Sequence, residues 1–154
     1  PLERAPETVG PVRQRAEMAT VGDDAPEWEA LAPLIARLRE LVGDPRWHPN
    51  EATVMSYADA RDGITPHRDQ RRYLYAIAVL SVDGEARLEV YDDARRRVLG
   101  GWRCRPGDVV VLRGPDPAAA PDAGEVRPMH ALSSPSGTGR SSLTLRMDAR
   151  RRRG

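Results

Sequence analysis

Leu74-Tyr75-Ala76-Ile77-Ala78-Val79-Leu80-Ser81-Val82, then Asp83-Gly84, then Ala86-Arg87-Leu88-Glu89-Val90-Tyr91-Asp92, is the stretch on which the fold turns. Its first nine residues form a continuous apolar run of strand length, which suits a central strand buried on both faces. Asp-Gly is a hairpin signal, and the run after it alternates as a half-buried strand does. Downstream, 98–103 reads as a further strand, Pro106-Gly107-Asp108 as a turn that launches a strand at 109–114, 126–132 as extended, and RSSLTLR at 140–146 as the last strand. Upstream, EATVMSY at 51–57 has the strand period and ITPHRDQ at 64–70 is a short extended segment. Polar residues at 58–63, Pro and Ala at 115–125 and Ser and Gly at 133–139 mark loops.

Residues 26–42, PEWEALAPLIARLRELV, break this pattern. Trp28, Leu31, Leu34, Ile35, Leu38, Leu41 and Val42 fall on one helical stripe, Pro26 suits a first turn and Gly43 suits the stop. Pro33 implies an early kink or a later true start. One helix followed by seven or eight short strands predicts a mainly β chain with an N-terminal helix, folded as a double-stranded β-helix, the jelly-roll sandwich. Such a sandwich has a mouth between its sheets where metal and ligand can sit. The expected organisation is an N-terminal arm or loop at 1–25, one domain at 26–148 and a basic tail at 149–154, with no internal repeat.

The 154 residues suit one domain with one hydrophobic core. At 40% hydrophobic and 31% charged the chain is globular rather than disordered. No stretch approaches the roughly 20 apolar residues of a membrane-spanning helix, so no membrane partner is expected. Pro1-Leu2-Glu3-Arg4 holds no apolar leader, and the single cysteine, Cys104, favours a reducing compartment; a cytoplasmic location is the expectation. Cys104 itself reads as a strand residue without chemistry.

The net charge of +1 gives a weak average field, and every basic residue is arginine. Arg95-Arg96-Arg97 and 150–153 are basic clusters that read as a solvated turn and tail, or as phosphate contacts. Aromatics make up 5%, with no Phe, which weighs against a protein that stacks unpaired bases. Those available are Trp28, Trp47, Trp102, Tyr57, Tyr73, Tyr75 and Tyr91.

His67-Arg68-Asp69 is an H-x-D motif. In a strand, residues i and i+2 share a face, so imidazole and carboxylate can converge on one ion. His130, in a distant extended segment, can supply the third ligand. Two His and one carboxylate leave open positions and suit non-haem iron(II). Alone, H-x-D also occurs among ordinary surface residues, and His67 could cap the turn after Pro66. Arg140, Ser142, Thr144 and Arg146 share one face of the last strand, with Leu143 and Leu145 on the other. Two arginines about 20 Å apart along a strand, leaning together, suit a short dicarboxylate held at both ends. A surface strand with two solvated arginines is the plainer alternative. His48, beside Trp47, reads as structural or exposed, or as lining the mouth. Gln70, Arg71, Arg72 and Tyr73 could line its rim, with Arg72 facing an anionic substrate group.

H-x-D, a distant His and then R-x5-R within RSSLTLR resembles the AlkB family of iron(II)/2-oxoglutarate dioxygenases. The likeness runs back through the Gly107-Asp108-Val109-Val110-Val111 strand to the helix and the strand ending at Tyr57, about residues 31–147. It implies iron(II) on His67, Asp69 and His130, with 2-oxoglutarate as cosubstrate and dioxygen as oxidant. It further implies Arg140 on the distal carboxylate, Arg146 near the C1 carboxylate, Tyr57 hydrogen-bonded to the cosubstrate, and Ser142 as a polar contact. The implied activity is hydroxylation or oxidative dealkylation. Met55 stands where the family often has Asn, and the N-terminal region is short and poor in aromatics for a lid over a base. The expectation is therefore an oxygenase acting on a small molecule, amino acid or peptide. An AlkB-type demethylase of alkylated nucleic acid and a non-enzymatic β-sandwich binding module are the alternatives.

Overall fold

A computed structural model of the chain describes residues 3–4, 8–9, 12–14, 16–58, 63–120, 122–133 and 139–151. In chain order the elements are β1 (Glu3–Arg4), β2 (Thr8–Val9), β3 (Val12–Arg13), β4 (Glu17–Gly22), a 3-10 turn (Pro26–Leu31), α1 (Ala32–Val42), β5 (Glu51–Tyr57), β6 (Ile64–His67) and β7 (Tyr73–Asp83). Then come β8 (Ala86–Tyr91), β9 (Val98–Cys104), β10 (Val109–Arg113), β11 (Met129–Ser133) and β12 (Arg140–Asp148). A six-stranded sheet runs β1-β4-β5-β12-β7-β10 and a four-stranded sheet runs β6-β11-β8-β9, with antiparallel pairing throughout. The mainly β, two-sheet jelly roll expected from the strand pattern is what the chain adopts. Among the described residues no helix is long and apolar enough to cross a membrane.

All eight strands read from 51 onward are present. α1 takes the later start that Pro33 implied, because proline lacks the amide that only an interior helical position needs. Gly43 closes it at φ 70°, the left-handed cap position. Residues 17–22, read as part of an arm or loop, instead form β4 and pair with β5 from Glu17–Ser56 to Gly22–Glu51. The remainder of the arm, the 58–63 and 133–139 loops and the end of the basic tail fall largely outside the described residues.

Apolar burial orders the layers. α1 lies on the outer face of the large sheet: Leu38 and Trp47 are fully buried there with Ala52, Ala76, Ala78 and Leu145, and Leu143 packs against them. Trp47 donates from Nε1 to the Ala76 carbonyl at 2.8 Å, which fixes the turn after α1 to β7. On the inner face Tyr73, Ile77 and Leu112 cluster, and Ala86, Leu88 and Cys104 answer from the small sheet. β7 is thus covered on both faces along its first half, as its apolar run predicted; at the far end Val82 is exposed.

Asp83-Gly84 does not close a hairpin. β7 pairs with β12 and β10, whereas β8 pairs with β11 and β9, so this turn carries the chain from one sheet to the other. Gly84 sits at φ +69°, and a Cβ there would stand 2.3 Å from the Gly139 carbonyl oxygen and 2.9 Å from Arg140 Cα. Gly84→Ala is expected to cost about 2–3 kcal/mol, combining left-handed strain with a clash against backbone. Gly107→Ala, at φ +92° with nothing within 4 Å, meets only the strain and should cost about 1 kcal/mol. Urea denaturation of the two variants checks this; equal midpoints would show that the close approach at Gly84 has no energetic consequence.

Candidate metal centre

The small sheet brings the H-x-D segment to His130 by strand register. β11 lies antiparallel to β6 with His130 directly opposite His67, and β11 pairs with β8 on its other side. The two imidazole centroids are 4.4 Å apart. Asp69, two residues beyond His67 and just past the end of β6, completes the group: the ligand atoms of His67, Asp69 and His130 all lie within 4.8 Å of one another, with His130 Nε2 3.7 Å from Asp69 Oδ2.

Each histidine is oriented from behind. His67 Nδ1 is 2.9 Å from the Thr65 carbonyl and His130 Nδ1 is 3.1 Å from the Pro128 carbonyl. With Nδ1 donating to a carbonyl, each ring keeps its Nε2 lone pair free for a ligand, the usual arrangement behind metal-bound imidazoles. Burial, and next the facing His130, hold His67 below the ordinary imidazole range, which favours the neutral, ligating form. Two imidazole nitrogens and one carboxylate oxygen fit a borderline divalent metal such as iron(II).

The group opens into a cavity of about 370 Å³ between the sheets. That is the size range of small-ligand sites. The large sheet contributes Thr53, Met55 and Tyr57 from β5 and Ser142, Thr144 and Arg146 from β12. The face of β12 read from its alternation is therefore the face turned toward the metal group. Arg146 stands opposite Glu51 in register; its Nη1 reaches Glu51 Oε1 at 3.3 Å and Thr53 Oγ1 at 3.1 Å. Its Nε is buried and has no acceptor among the described residues.

Arg140 is placed differently. It is buried opposite Tyr57, with its guanidinium carbon 3.6 Å from the centre of the Tyr57 ring. It does not line the metal cavity, which Tyr57 and Ser142 do; it lines a smaller adjoining space of about 20 Å³ with Cys104 and Ser142. The register between β12 and β7 slips between Ser141 and Ser142, so Arg140 lies beyond an irregularity that simple alternation does not foresee.

Gln70, Arg72 and Tyr73 line the cavity; Arg71 is exposed and pairs with Glu125 at 3.4 Å. His48 is exposed and does not line it. Trp47, a candidate for stacking bases, is 0% exposed and belongs to the core. Sequence reading missed Arg68, which lines the cavity while its Nε holds the Arg127 carbonyl at 3.0 Å. It also missed Glu51 and Asp148, buried carboxylates behind the cavity arginines. Register alone could have found Glu51, as the cross-strand partner of Arg146.

No protein-family model matches the sequence, and no curated protein does. Solved structures do match. A cupin 2 conserved barrel domain protein from Rhodopseudomonas palustris aligns at a TM-score of 0.55 and 15% identity, over 99% of this chain and 74% of that one. The fold is a cupin-type jelly roll. A predicted oxalate decarboxylase from Thermotoga maritima aligns with this barrel at a TM-score of 0.51 and 13% identity, over 96% of this chain and 91% of that one. The cupin domain of Drosophila melanogaster CENP-C aligns at 0.52 and 8%, over 94% and 74%. Of another Drosophila CENP-C chain the barrel spans 62%, at a TM-score of 0.44. The three that align at TM-scores above 0.5 are cupin-type barrels, not AlkB-type oxygenases, and at such identities they establish the shared barrel alone.

Proposed function

We propose that the chain is an iron(II)- and 2-oxoglutarate-dependent oxygenase of AlkB-like type, acting on a small molecule, amino acid or peptide. The observation that carries this reading is the convergence of His67, Asp69 and His130 on a cavity whose opposite wall presents Arg146 with an unsatisfied Nε. When iron, 2-oxoglutarate and dioxygen are bound, the cosubstrate is decarboxylated to succinate and carbon dioxide, one oxygen atom entering succinate and the other a substrate C–H bond.

In this reading the protein's work is positioning. His67 and His130 present Nε2, held by their carbonyl partners, and Asp69 supplies the one negative charge of the donor set. Arg146 offers Nε to a carboxylate of the cosubstrate, with Tyr57 and Ser142 as polar neighbours along the same wall. Arg140 acts on the cosubstrate through Tyr57, against which it is stacked, or directly after a side-chain movement. Met55, Ile77, Val79 and Leu112 keep that wall apolar and limit water.

The test is anaerobic titration of the protein with iron(II) and then 2-oxoglutarate, followed by calorimetry and melting temperature. Sequential, saturable binding supports the reading; no binding to folded protein overturns it. Arg146→Gln is expected to weaken 2-oxoglutarate binding by about tenfold to thirtyfold while leaving iron(II) affinity unchanged, since it removes a charge-assisted hydrogen bond and no ligand. Unaltered 2-oxoglutarate affinity in that variant would take Arg146 out of the cosubstrate site.

A further inference from the structure

Arg72 and Arg146 share one aromatic ring. Their guanidinium carbons lie 4.6 and 4.8 Å from the centre of Tyr73, so they are at most the sum of those distances apart, about 9.4 Å. All three residues line the metal cavity. The carboxylates behind the arginines are each shared twice. Asp148 pairs with Arg72 at 3.3 Å and with Arg150 at 3.1 Å. Glu51 pairs with Arg146 at 3.3 Å and with Arg151 at 3.7 Å. Each buried carboxylate thus serves one arginine on the cavity side and one toward solvent; Arg151 has a second partner in Asp24 at 3.7 Å, whereas Asp148 is divided between Arg72 and Arg150. Water screens the outer arginines, whose side chains are 67% and 38% exposed; the inner ones are 20% and 14% exposed.

Both inner arginines also carry a buried Nε with no acceptor among the described residues. A buried N–H without an acceptor is costly unless a ligand supplies one. Arg72 turns Nη1 to Asp148 and Nη2 to the Tyr73 hydroxyl, and Nε is the one of its three nitrogens left without a partner among the described residues. The position is built rather than incidental. Between the pairs Arg146–Ile77 and Asp148–Tyr73 the register slips, and Tyr75, inside that slip, has φ +63°. A non-glycine residue in that region is strained, and bulges of this kind cluster beside functional sites.

We propose that Arg72 is a specificity residue, and that the substrate oxidised at this site is a small carboxylic acid whose carboxylate is held by Arg72 Nε. This rests on the oxygenase reading, in which Arg146 serves the cosubstrate. An unpartnered Nε–H on a guanidinium whose counter-ion, Asp148, is shared with Arg150 matches a monoanionic carboxylate better than a phosphate dianion, which calls for a fork of donors. Asp69 is the one acidic group among the residues lining the cavity, against Arg68, Arg72 and Arg146, and a metal-bound Asp69 no longer repels an anion.

The experiment measures binding, not turnover. The full chain is loaded with zinc(II) in place of iron(II) and with 2-oxoglutarate, and acetate, phenylacetate, N-acetylglycine, phenylacetamide and a thymidine dinucleotide are titrated by ligand-detected NMR. At least one carboxylate should bind, and phenylacetamide at least about tenfold more weakly than phenylacetate; Arg72→Gln should weaken the carboxylate about tenfold with zinc and 2-oxoglutarate affinities unchanged. Arg150→Gln, which removes the outer partner of the same Asp148, should leave carboxylate affinity within about twofold. Should Arg72→Gln fail to fold, Arg72→Lys keeps the pairing with Asp148 and lacks Nε, and the same loss is expected. No saturable carboxylate binding, equal affinity for acid and amide, or equal loss in the Arg72 and Arg150 variants overturns the proposal. Dependence on Arg72 for the dinucleotide alone overturns it in favour of a nucleic-acid substrate. If zinc and 2-oxoglutarate do not bind the wild-type chain, the oxygenase reading fails. Carboxylate binding to the metal-free protein then decides the subsite: an Arg72-dependent affinity keeps it, an independent one removes it.

Discussion

Asp69→Ala is expected to lower iron(II) affinity by more than about a hundredfold, and to abolish any rise in melting temperature on adding metal. Changes to groups that only orient ligands already cost about tenfold to a hundredfold, and Asp69 would be a ligand itself. Its loss has a second consequence. Arg68, Arg72 and Arg146 line the same cavity, each with a carboxylate partner behind it, and Asp69 is the one carboxylate among the described residues lining the cavity, so the variant offers a cation no negative group there. Asp69→Asn keeps a coordinating oxygen without the charge and should fall between wild type and Asp69→Ala. Anaerobic calorimetry with iron(II), paired with melting curves, reads both effects. Undiminished iron binding in Asp69→Ala would remove that carboxylate from the metal set.

Trp47→Ala is expected to destabilise the fold by about 4–5 kcal/mol, most of the margin a domain of this size has. The indole is 0% exposed, packs among Leu38, Ala52, Ala76, Ala78 and Leu145, and holds the Ala76 carbonyl at 2.8 Å. Truncation opens a cavity between α1 and the large sheet and removes a buried hydrogen bond. Trp47→Phe should recover most of the packing and lose the bond. Trp102→Ala, at a side chain 55% exposed, should stay within about 0.5 kcal/mol of wild type. Urea denaturation ranks the three, and similar midpoints for Trp47→Ala and Trp102→Ala would contradict the role given to the core.

Much of the architecture was legible because two short-range signals were strong. The apolar run at 74–82 and the alternation of RSSLTLR each specify a strand and its faces without knowledge of partners, and β12 turns the predicted face to the cavity. What was not legible depended on pairing. Glu17–Gly22 is short and sits in a stretch dense with polar and Pro/Gly residues; it is a strand because β5 offers it an edge. Asp83-Gly84 has the same local chemistry in a hairpin as in a crossing between sheets, and the choice is made by β12 inserting beside β7. The metal group was readable as residue types and spacing, but the meeting of His67 with His130 needed the β6–β11 register. Arg140 shows the limit of alternation, which places a side chain on a face and says nothing of a slip one residue later.

His67 and His130 face each other across a ladder between β11 and β6, and β6 is four residues long, contains Pro66 and forms the outer border of the small sheet. Such a border has few backbone bonds to hold it. An ion gripping both imidazoles would act as a rivet between the two strands, adding to the border a fastening that the peptide backbone does not provide. Metal supply and local unfolding would then be coupled: a starved barrel frays first along this one margin, while the large sheet, anchored by α1, keeps its shape.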